Sequence, residues 1–494
     1  MNETAGFALI VVFASAVGLV GVLANRLTQW VKIPAPLLVL IGAAVAVAAI
    51  PDLHPPPVQT VQRVLTVALV LVLFNGGMHI GLTRLRSAVI PILSVGVLGT
   101  VLTAAGATLV LHYGCGIDWY LAVLVATAVA PTDPTVVFAV LGRREIAGRS
   151  GTILEGESGA NDPVGIALMV PLIAAGGLSA TAFASVGAQF LQQMLIGAAL
   201  GVLGGRTLLV FIRRVPLPSE GLYPLRTLTC SLLLYGITTL AHGSGFLAVF
   251  VAGIVIGDVG APYKADVERF HAALAGLAEI VAFAVLGLTV DLRVLAHPDV
   301  WIPGLVLGVA LMVLIRPVGV GACLLRARLA RNERGFILFA GLKGAVPILL
   351  GEFLRAAGVP DAERLYGIVV VVVVFSVLVQ GSTVPALARW IGLPMRTIDP
   401  EPWAIGVRLR DEPHGVHRLT VGPGSVAHGS TIDDLGRHAG GDIWVSILVR
   451  AHRPVPVHAT TELQANDDVV ILADAELTHT LAALFHSSDG DGTR

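Results

Sequence analysis

Long apolar runs, separated by short polar or basic stretches, fill the chain up to about residue 395. A window of about 19 residues separates thirteen candidate spans, at 6–24, 34–50, 61–80, 88–111, 118–141, 157–177, 188–212, 225–242, 244–258, 271–290, 299–325, 334–357 and 364–390. Segments of this length and apolarity predict helices, because a helix satisfies its own backbone polar groups in lipid. The eighth and ninth spans part at His242-Gly243-Ser244-Gly245. From about Asp399 the pattern changes to short alternating runs. Ile443 to Val449 and Val469 to Leu472 read as strands, Ala475 to Phe485 as a closing helix, and 487–494 as a disordered end. The fold class expected is an all-α polytopic membrane protein of about 13 transmembrane helices, with broken helices, plus a small α+β domain. The expected domains are 1–396 in the membrane, 399–486 outside it, and the tail 487–494.

Basic residues orient the spans, since Lys and Arg near span ends stay on the cytoplasmic side. With the N-terminus outside, nineteen of them, from Arg26 and Lys32 to Arg389 and Arg396, fall in cytoplasmic loops and ends. Only Arg63, Arg293, Arg355 and Arg364 fall opposite. The expected location is a bacterial inner membrane, with a periplasmic N-terminus and a cytoplasmic C-terminal domain. The first run follows an acidic start, Met1-Asn-Glu-Thr, and reads as a retained span rather than a cleaved signal.

Composition agrees with the pattern: of 494 residues 55% are hydrophobic and 13% charged, about half the charged share of a soluble domain. A net charge of −1 offers no attraction to nucleic acid, and Cys115, Cys230 and Cys323 lack metal-ligand spacing. The tail beyond 399 is acidic, with fourteen acids against seven bases, and holds eight of the fourteen histidines.

Ionisable groups inside spans cost several kcal/mol and mark function. The acids read this way are Asp133, Glu155, Glu157, Asp162 and Glu279, and two bases, Arg316 and Lys343, need partners. Ala130-Pro-Thr-Asp133-Pro134 predicts a broken helix, which exposes helix ends and carbonyls at mid-membrane. Gly341-Leu-Lys-Gly-Ala-Val-Pro347 is its counterpart around Lys343. Asp133 suits positive helix ends and Lys343 negative ones. In Glu155-Gly-Glu157-Ser158-Gly-Ala-Asn161-Asp162-Pro163, Ser158 and Asp162 share a helix face with Glu157 about one turn below. Carboxylate, hydroxyl and free carbonyl oxygens make a hard cage for an alkali cation, with no sulfur or imidazole for zinc, copper or iron. A carboxylate that loses its proton when a cation arrives supports exchange. Asn161 before Asp162, in place of a second acid, makes one proton per monovalent cation the simplest count, an electroneutral exchange. Glu157 then needs a charge partner, and buried Arg316 has the charge to offer.

These residues resemble the cation:proton antiporter-1 family of NhaP type across about 6–395. The resemblance rests on Gly156-Glu-Ser-Gly-Ala-Asn-Asp-Pro163, Thr132-Asp133-Pro134, Leu314-Ile-Arg316-Pro317, Gly341 to Pro347 and Val379-Gln380-Gly381-Ser-Thr-Val-Pro385. It implies a secondary antiporter of Na⁺ or K⁺ against H⁺, working by alternating access, with Asp162 carrying the exchanged ion. Asn161 would support the site, Glu157 would pair with Arg316, and Ser158 and the Thr132 backbone would complete a cation site made with Asp162. It further implies two inverted repeats, a homodimer in lipid and no cofactor. The tail is similar to a TrkA C-terminal (RCK-C) domain through its strand pattern, Gly429 to Leu435 and Asn466 to Leu472, which implies a small anionic regulatory ligand.

Two positions depart from the family. Lys343 stands where arginine is usual, keeping the charge but losing the planar fork. Glu279 stands where an uncharged amide is expected, and reads either as an acid at the mouth of a funnel or as a partner of Arg269 or Lys264. The alternative function is a potassium channel or uptake component gated by its tail, but the chain has no Thr-Val-Gly-Tyr-Gly filter. An enzyme would need a nucleophile or metal constellation, and the intramembrane His79 and His242 stand alone.

Overall fold

The computed structural model describes residues 15, 18–19, 35–50, 53–141, 144–146, 149–258, 263–325, 327, 329–397, 415–440, 443–451 and 453–485. Most of the first expected span and all of 487–494 lie outside these. The chain divides into two compact units, 1–400 and 401–494.

The first unit is helical. Its helices are α1 (Ala35–Ala49), α2 (Val58–Leu93), α3 (Thr100–Leu109), α4 (Trp119–Val129), α5 (Pro134–Leu141), α6 (Arg149–Ala175), α7 (Ala180–Arg214), α8 (Leu222–Leu240), α9 (Gly245–Gly257) and α10 (Lys264–Thr289). There follow α11 (Leu292–Leu295), α12 (Pro298–Ala310), α13 (Arg316–Cys323), α14 (Arg331–Phe339), α15 (Ala345–Ala356), α16 (Ala362–Phe375) and α17 (Ser382–Trp390). Short π-helical turns join α2 to α3, α12 to α13 and α16 to α17. Among the described residues six helical stretches are long and apolar enough to cross a bilayer. Their outer faces carry exposed leucines such as Leu191, Leu195, Leu203 and Leu314, as a lipid-facing surface requires.

The expected third and fourth spans run together in α2, which loses helical geometry at Gly81 and Ala88, between them. The expected parting of the eighth and ninth spans appears as α8 ending at Leu240 and α9 starting at Gly245 behind its Ser244 cap.

Two groups of helices form: α1, α2 and α7 to α10 pack together, and α3, α4, α12, α15 and α16 form the other group. Helix α6 touches both. In the first group a Cβ on Gly77 of α2 would overlap the Phe250 carbonyl, and one on Gly253 of α9 the Phe74 carbonyl. Only glycine lets these two backbones meet, the usual way helices associate in lipid. Thr289 of α10 and Tyr366 of α16 join hydroxyls at 2.6 Å across the two groups.

Both predicted helix breaks are present. The chain is unwound at 130–133 between α4 and α5, and at 340–344 between α14 and α15. The two unwound segments meet, with the Asp133 amide donating to the Leu342 carbonyl at 2.8 Å. A two-stranded sheet, β1 (Arg144–Ile146) with β2 (Met395–Thr397), pairs the chain after α5 with the chain after α17.

The second unit has a four-stranded antiparallel sheet in the order β3 (Val416–Thr420), β6 (Asp468–Ala473), β4 (Ile443–Arg450) and β5 (Arg453–Val455). Helices α18 (Ile432–Ala439) and α19 (Thr478–Phe485) accompany it, matching the strands and closing helix expected from the alternation. Its small core gathers Val421, Leu435, Val445, Leu448, Val469, Ile471, Leu481 and Phe485. Arg450 forks onto the carboxylate of Asp467 at 2.9 and 2.8 Å. Burial works against the charged form of Asp467, yet the guanidinium and the Gln464 amide hold its carboxyl below the usual range.

Candidate functional site

The crossing of the two unwound segments brings three charges, Lys343, Arg316 and Asp133, against the helix ends it exposes. An α-helix ends with carbonyls that have no partner and a partial negative charge. At the end of α4, the Lys343 ammonium donates to the carbonyls of Ala130 at 2.9 Å and Pro131 at 3.1 Å. At the end of α14, Arg316 donates through Nε to Leu338 O at 2.9 Å and through Nη2 to Ile337 O at 3.0 Å. Each broken helix thus has its negative end covered by a buried cation carried on a different segment. The positive end of α5 is met by Asp133, whose carboxylate accepts from the Thr135 amide at 2.9 Å. A Cβ on Gly344 would overlap that carboxylate, and one on Gly341 would overlap the Arg316 guanidinium. The glycines of the 341–347 motif are what allow the charges to lie against the backbone.

Behind these lies a buried polar chain. Arg316 grips Glu157 with both terminal nitrogens, at 2.7 and 2.9 Å. The Thr132 hydroxyl donates to Glu157 Oε1 at 3.2 Å and accepts from Asn161 Nδ2 at 2.8 Å. Glu157, Arg316, Thr132 and Asn161 are all at most 5% exposed. The expected Glu157–Arg316 pair is therefore present, and Arg316 does a second job on α14 that the sequence did not signal. The unwound 340–344 segment is held further by Ser376, which accepts from the Lys343 amide at 3.0 Å and donates to Gln380. Gln380 in turn donates to the Phe339 carbonyl.

In front of this chain is a cavity of about 370 Å³. Its polar lining is Asn75, His79, Asp133, Thr135, Glu155, Ser158, Asp162 and Glu279, with Phe138, Phe250 and aliphatic side chains around them. Asp162 is 6% exposed, and its Oδ1 has no hydrogen-bond partner. An unsatisfied buried carboxylate oxygen is expensive, and a proton or a cation at this atom would relieve that cost. Of the expected cation ligands, Asp162 and Ser158 line the cavity, whereas Thr132, expected to contribute its backbone, is not among the lining residues, and its hydroxyl bonds Glu157 and Asn161.

Glu279 faces the cavity, within 3.2 Å of the Thr135 hydroxyl. The pairing with Lys264 is overturned: Lys264 bonds the Gly257 carbonyl and Glu268, one turn along its own helix. Reading along the chain also misses Glu352, although it falls inside the 334–357 span. It is fully buried and paired with Arg355 at 2.8 Å. Among the described residues no cluster of histidine, cysteine, aspartate and glutamate has the form of a metal centre.

Crossed broken helices with buried counter-charges, beside a cavity lined by several acids, are the arrangement of an ion-handling membrane protein. A family model described as sodium/hydrogen exchanger, transmembrane, matches residues 7–390, and the chain belongs to that family. It is similar to the K(+)/H(+) antiporter NhaP of Alkalimonas amylolytica, with 34% identity over 331 residues, 66% of this chain and 57% of the relative. The K(+)/H(+) antiporter NhaP2 of Shewanella oneidensis is 33% identical over 341 residues, 67% of this chain and 58% of the relative. The chain thus spans less than two thirds of the length of these curated relatives. Among solved structures, the sodium proton antiporter MjNhaP1 from Methanocaldococcus jannaschii at pH 8 has the same fold. Its TM-score is 0.64 at 20% identity, covering 76% of this chain and 99% of that one.

Proposed function

We propose that the protein is a secondary antiporter that exchanges a monovalent cation, K⁺ or Na⁺, for H⁺ in alternation at Asp162. The observation that carries this reading is the unpartnered Oδ1 of Asp162, a buried carboxylate oxygen at the wall of an otherwise largely apolar cavity. Ser158 on the same face supplies a hydroxyl oxygen, and the crossing of the unwound segments fixes the position of Asp133. Glu157 and Arg316 are engaged with each other, and Arg316 and Lys343 with helix-end carbonyls. With exchange at Asp162 alone, the count is one proton per cation. The relatives described as K(+)/H(+) antiporters put K⁺ first among the cations to test.

The cavity is lined by the first half of α6, which starts at Arg149, and by residues 272–282 in the middle of α10. With the basic ends in the cytoplasm, the N-terminus is periplasmic and the cavity faces inward, in the plasma membrane of a bacterium. In purified proteoliposomes, an imposed K⁺ or Na⁺ gradient is expected to drive counter-movement of protons at the same rate whether or not the membrane potential is dissipated. Proton movement that follows an imposed potential would overturn the one-for-one count. No coupled proton movement at all would overturn antiport.

The second unit, taken as 399–486, is proposed to be an RCK-C-like regulatory domain that binds a small anionic ligand, and the assembly to be a homodimer. Its compact separate core supports an autonomous domain. Truncation after Pro400 keeps β2 and is expected to leave transport intact with a shifted pH profile. An identical pH profile and cation dependence would assign this unit to assembly alone.

A further inference from the structure

Thr135 stands between two acids. Its hydroxyl oxygen is in hydrogen-bond contact with Asp133 Oδ1 and 3.2 Å from Glu279 Oε1. A hydroxyl carries one hydrogen, so it cannot donate to both. With both carboxylates ionised, one of the two oxygen–oxygen contacts has no hydrogen in it and is repulsive, which either a proton on one of the acids or a cation shared by the three oxygens relieves. Among the described residues no lysine or arginine forms an ion pair with Glu279, and Lys264, one of its expected partners, is taken by Glu268 and the Gly257 carbonyl. The three oxygens come from separate places, the unwound 130–133 segment, the first turn of α5 and the middle of α10, and all three residues line the cavity.

The cluster shares that cavity with the buried, unpartnered Oδ1 of Asp162. Of the lining residues along α10, Ala272 and Gly276 are exposed and Ala275 is buried, Glu279 is half-buried and Ala282 is buried. Along α6, Glu155 is half-buried and Asp162 is buried. Glu279 therefore lies between the mouth and Asp162.

We propose that Glu279, Thr135 and Asp133 form a second alkali-cation station on the mouth side of Asp162, where an incoming K⁺ or Na⁺ sheds water onto three protein oxygens before it reaches the exchange carboxylate. The station rests on the antiport reading above. It sets how tightly the cation is gathered, while Asp162 alone exchanges it for a proton. The acid at 279 is thus an affinity device rather than a structural charge.

The test is the cation dependence of proton flux in proteoliposomes with K⁺ and with Na⁺, for wild type, Glu279→Gln, Glu279→Asp and Asp162→Asn. Glu279→Gln is expected to raise the half-saturating cation concentration at least about fivefold, by more than it lowers the maximal rate. Glu279→Asp, which keeps the charge, is expected to recover part of that shift, which a purely structural role would not produce. An unchanged half-saturating concentration in Glu279→Gln, or a fall in maximal rate alone, overturns the second station. If wild type exchanges and Asp162→Asn does not, that failure leaves the antiport reading standing. If wild type shows no exchange, the antiport reading itself fails, and this proposal with it.

Discussion

Asp162→Asn is expected to reduce cation-driven proton flux to that of protein-free liposomes, while the protein still inserts and melts near the wild-type temperature. Asparagine has nearly the shape of aspartate but neither releases a proton nor offsets a cation's charge. Asp162 Oδ1 makes no hydrogen bond, so none is lost at that atom when the carboxylate becomes an amide. The Asn161–Thr132–Glu157 chain behind it is untouched. Measured flux together with a thermal melt separates loss of the exchanging group from loss of structure. Residual cation-dependent flux in this variant would move the exchange to another acid of the cavity.

The second large effect is expected at the Glu157–Arg316 pair, which is a matter of stability first. Both side chains are at most 5% exposed and joined by two hydrogen bonds. Removing one partner of a buried pair strands the other, at a cost of about 3–5 kcal/mol. Arg316→Ala is expected to be the worse of the two, because it also uncovers the Ile337 and Leu338 carbonyls at the end of α14. Glu157→Ala leaves those contacts in place but releases the Thr132 hydroxyl. In a double-mutant cycle read by thermal melting, the combined loss should fall short of the sum by about 1–3 kcal/mol. Simple additivity would show that the two charges are held independently.

Much of the fold was legible because a bilayer leaves a chain few choices: apolar runs of spanning length have to be helices, and prolines at 131 and 134 have to break one. The Glu157–Arg316 pair was legible for a related reason, since two opposite charges in lipid-embedded segments need each other. What could not be read is set by chain-distant geometry. Arg316 and the carbonyls at 337 and 338 are far apart in sequence, so helix capping by Arg316 has no local signal. The face on which Glu279 lies depends on how α10 packs against α2 and α15, and the basic residues near its start were equally eligible partners until Lys264 was seen on Glu268. Thr135 carried a weak signal, a hydroxyl two residues after Asp133 at a helix start. Its contact with Glu279 carried none. Glu352 hid beside Arg355 close to the end of a span, where an acid passes for an end residue, although it is fully buried.

The claim at the centre of this account is that one carboxylate, Asp162, holds either a proton or a cation. Titrating purified protein with K⁺ or Na⁺ in calorimetry buffers of differing ionisation enthalpy counts the protons released per cation bound. The account predicts about one proton per cation for wild type and none for Asp162→Asn. Cation binding without proton release in wild type, or the same release from Asp162→Asn, would contradict it.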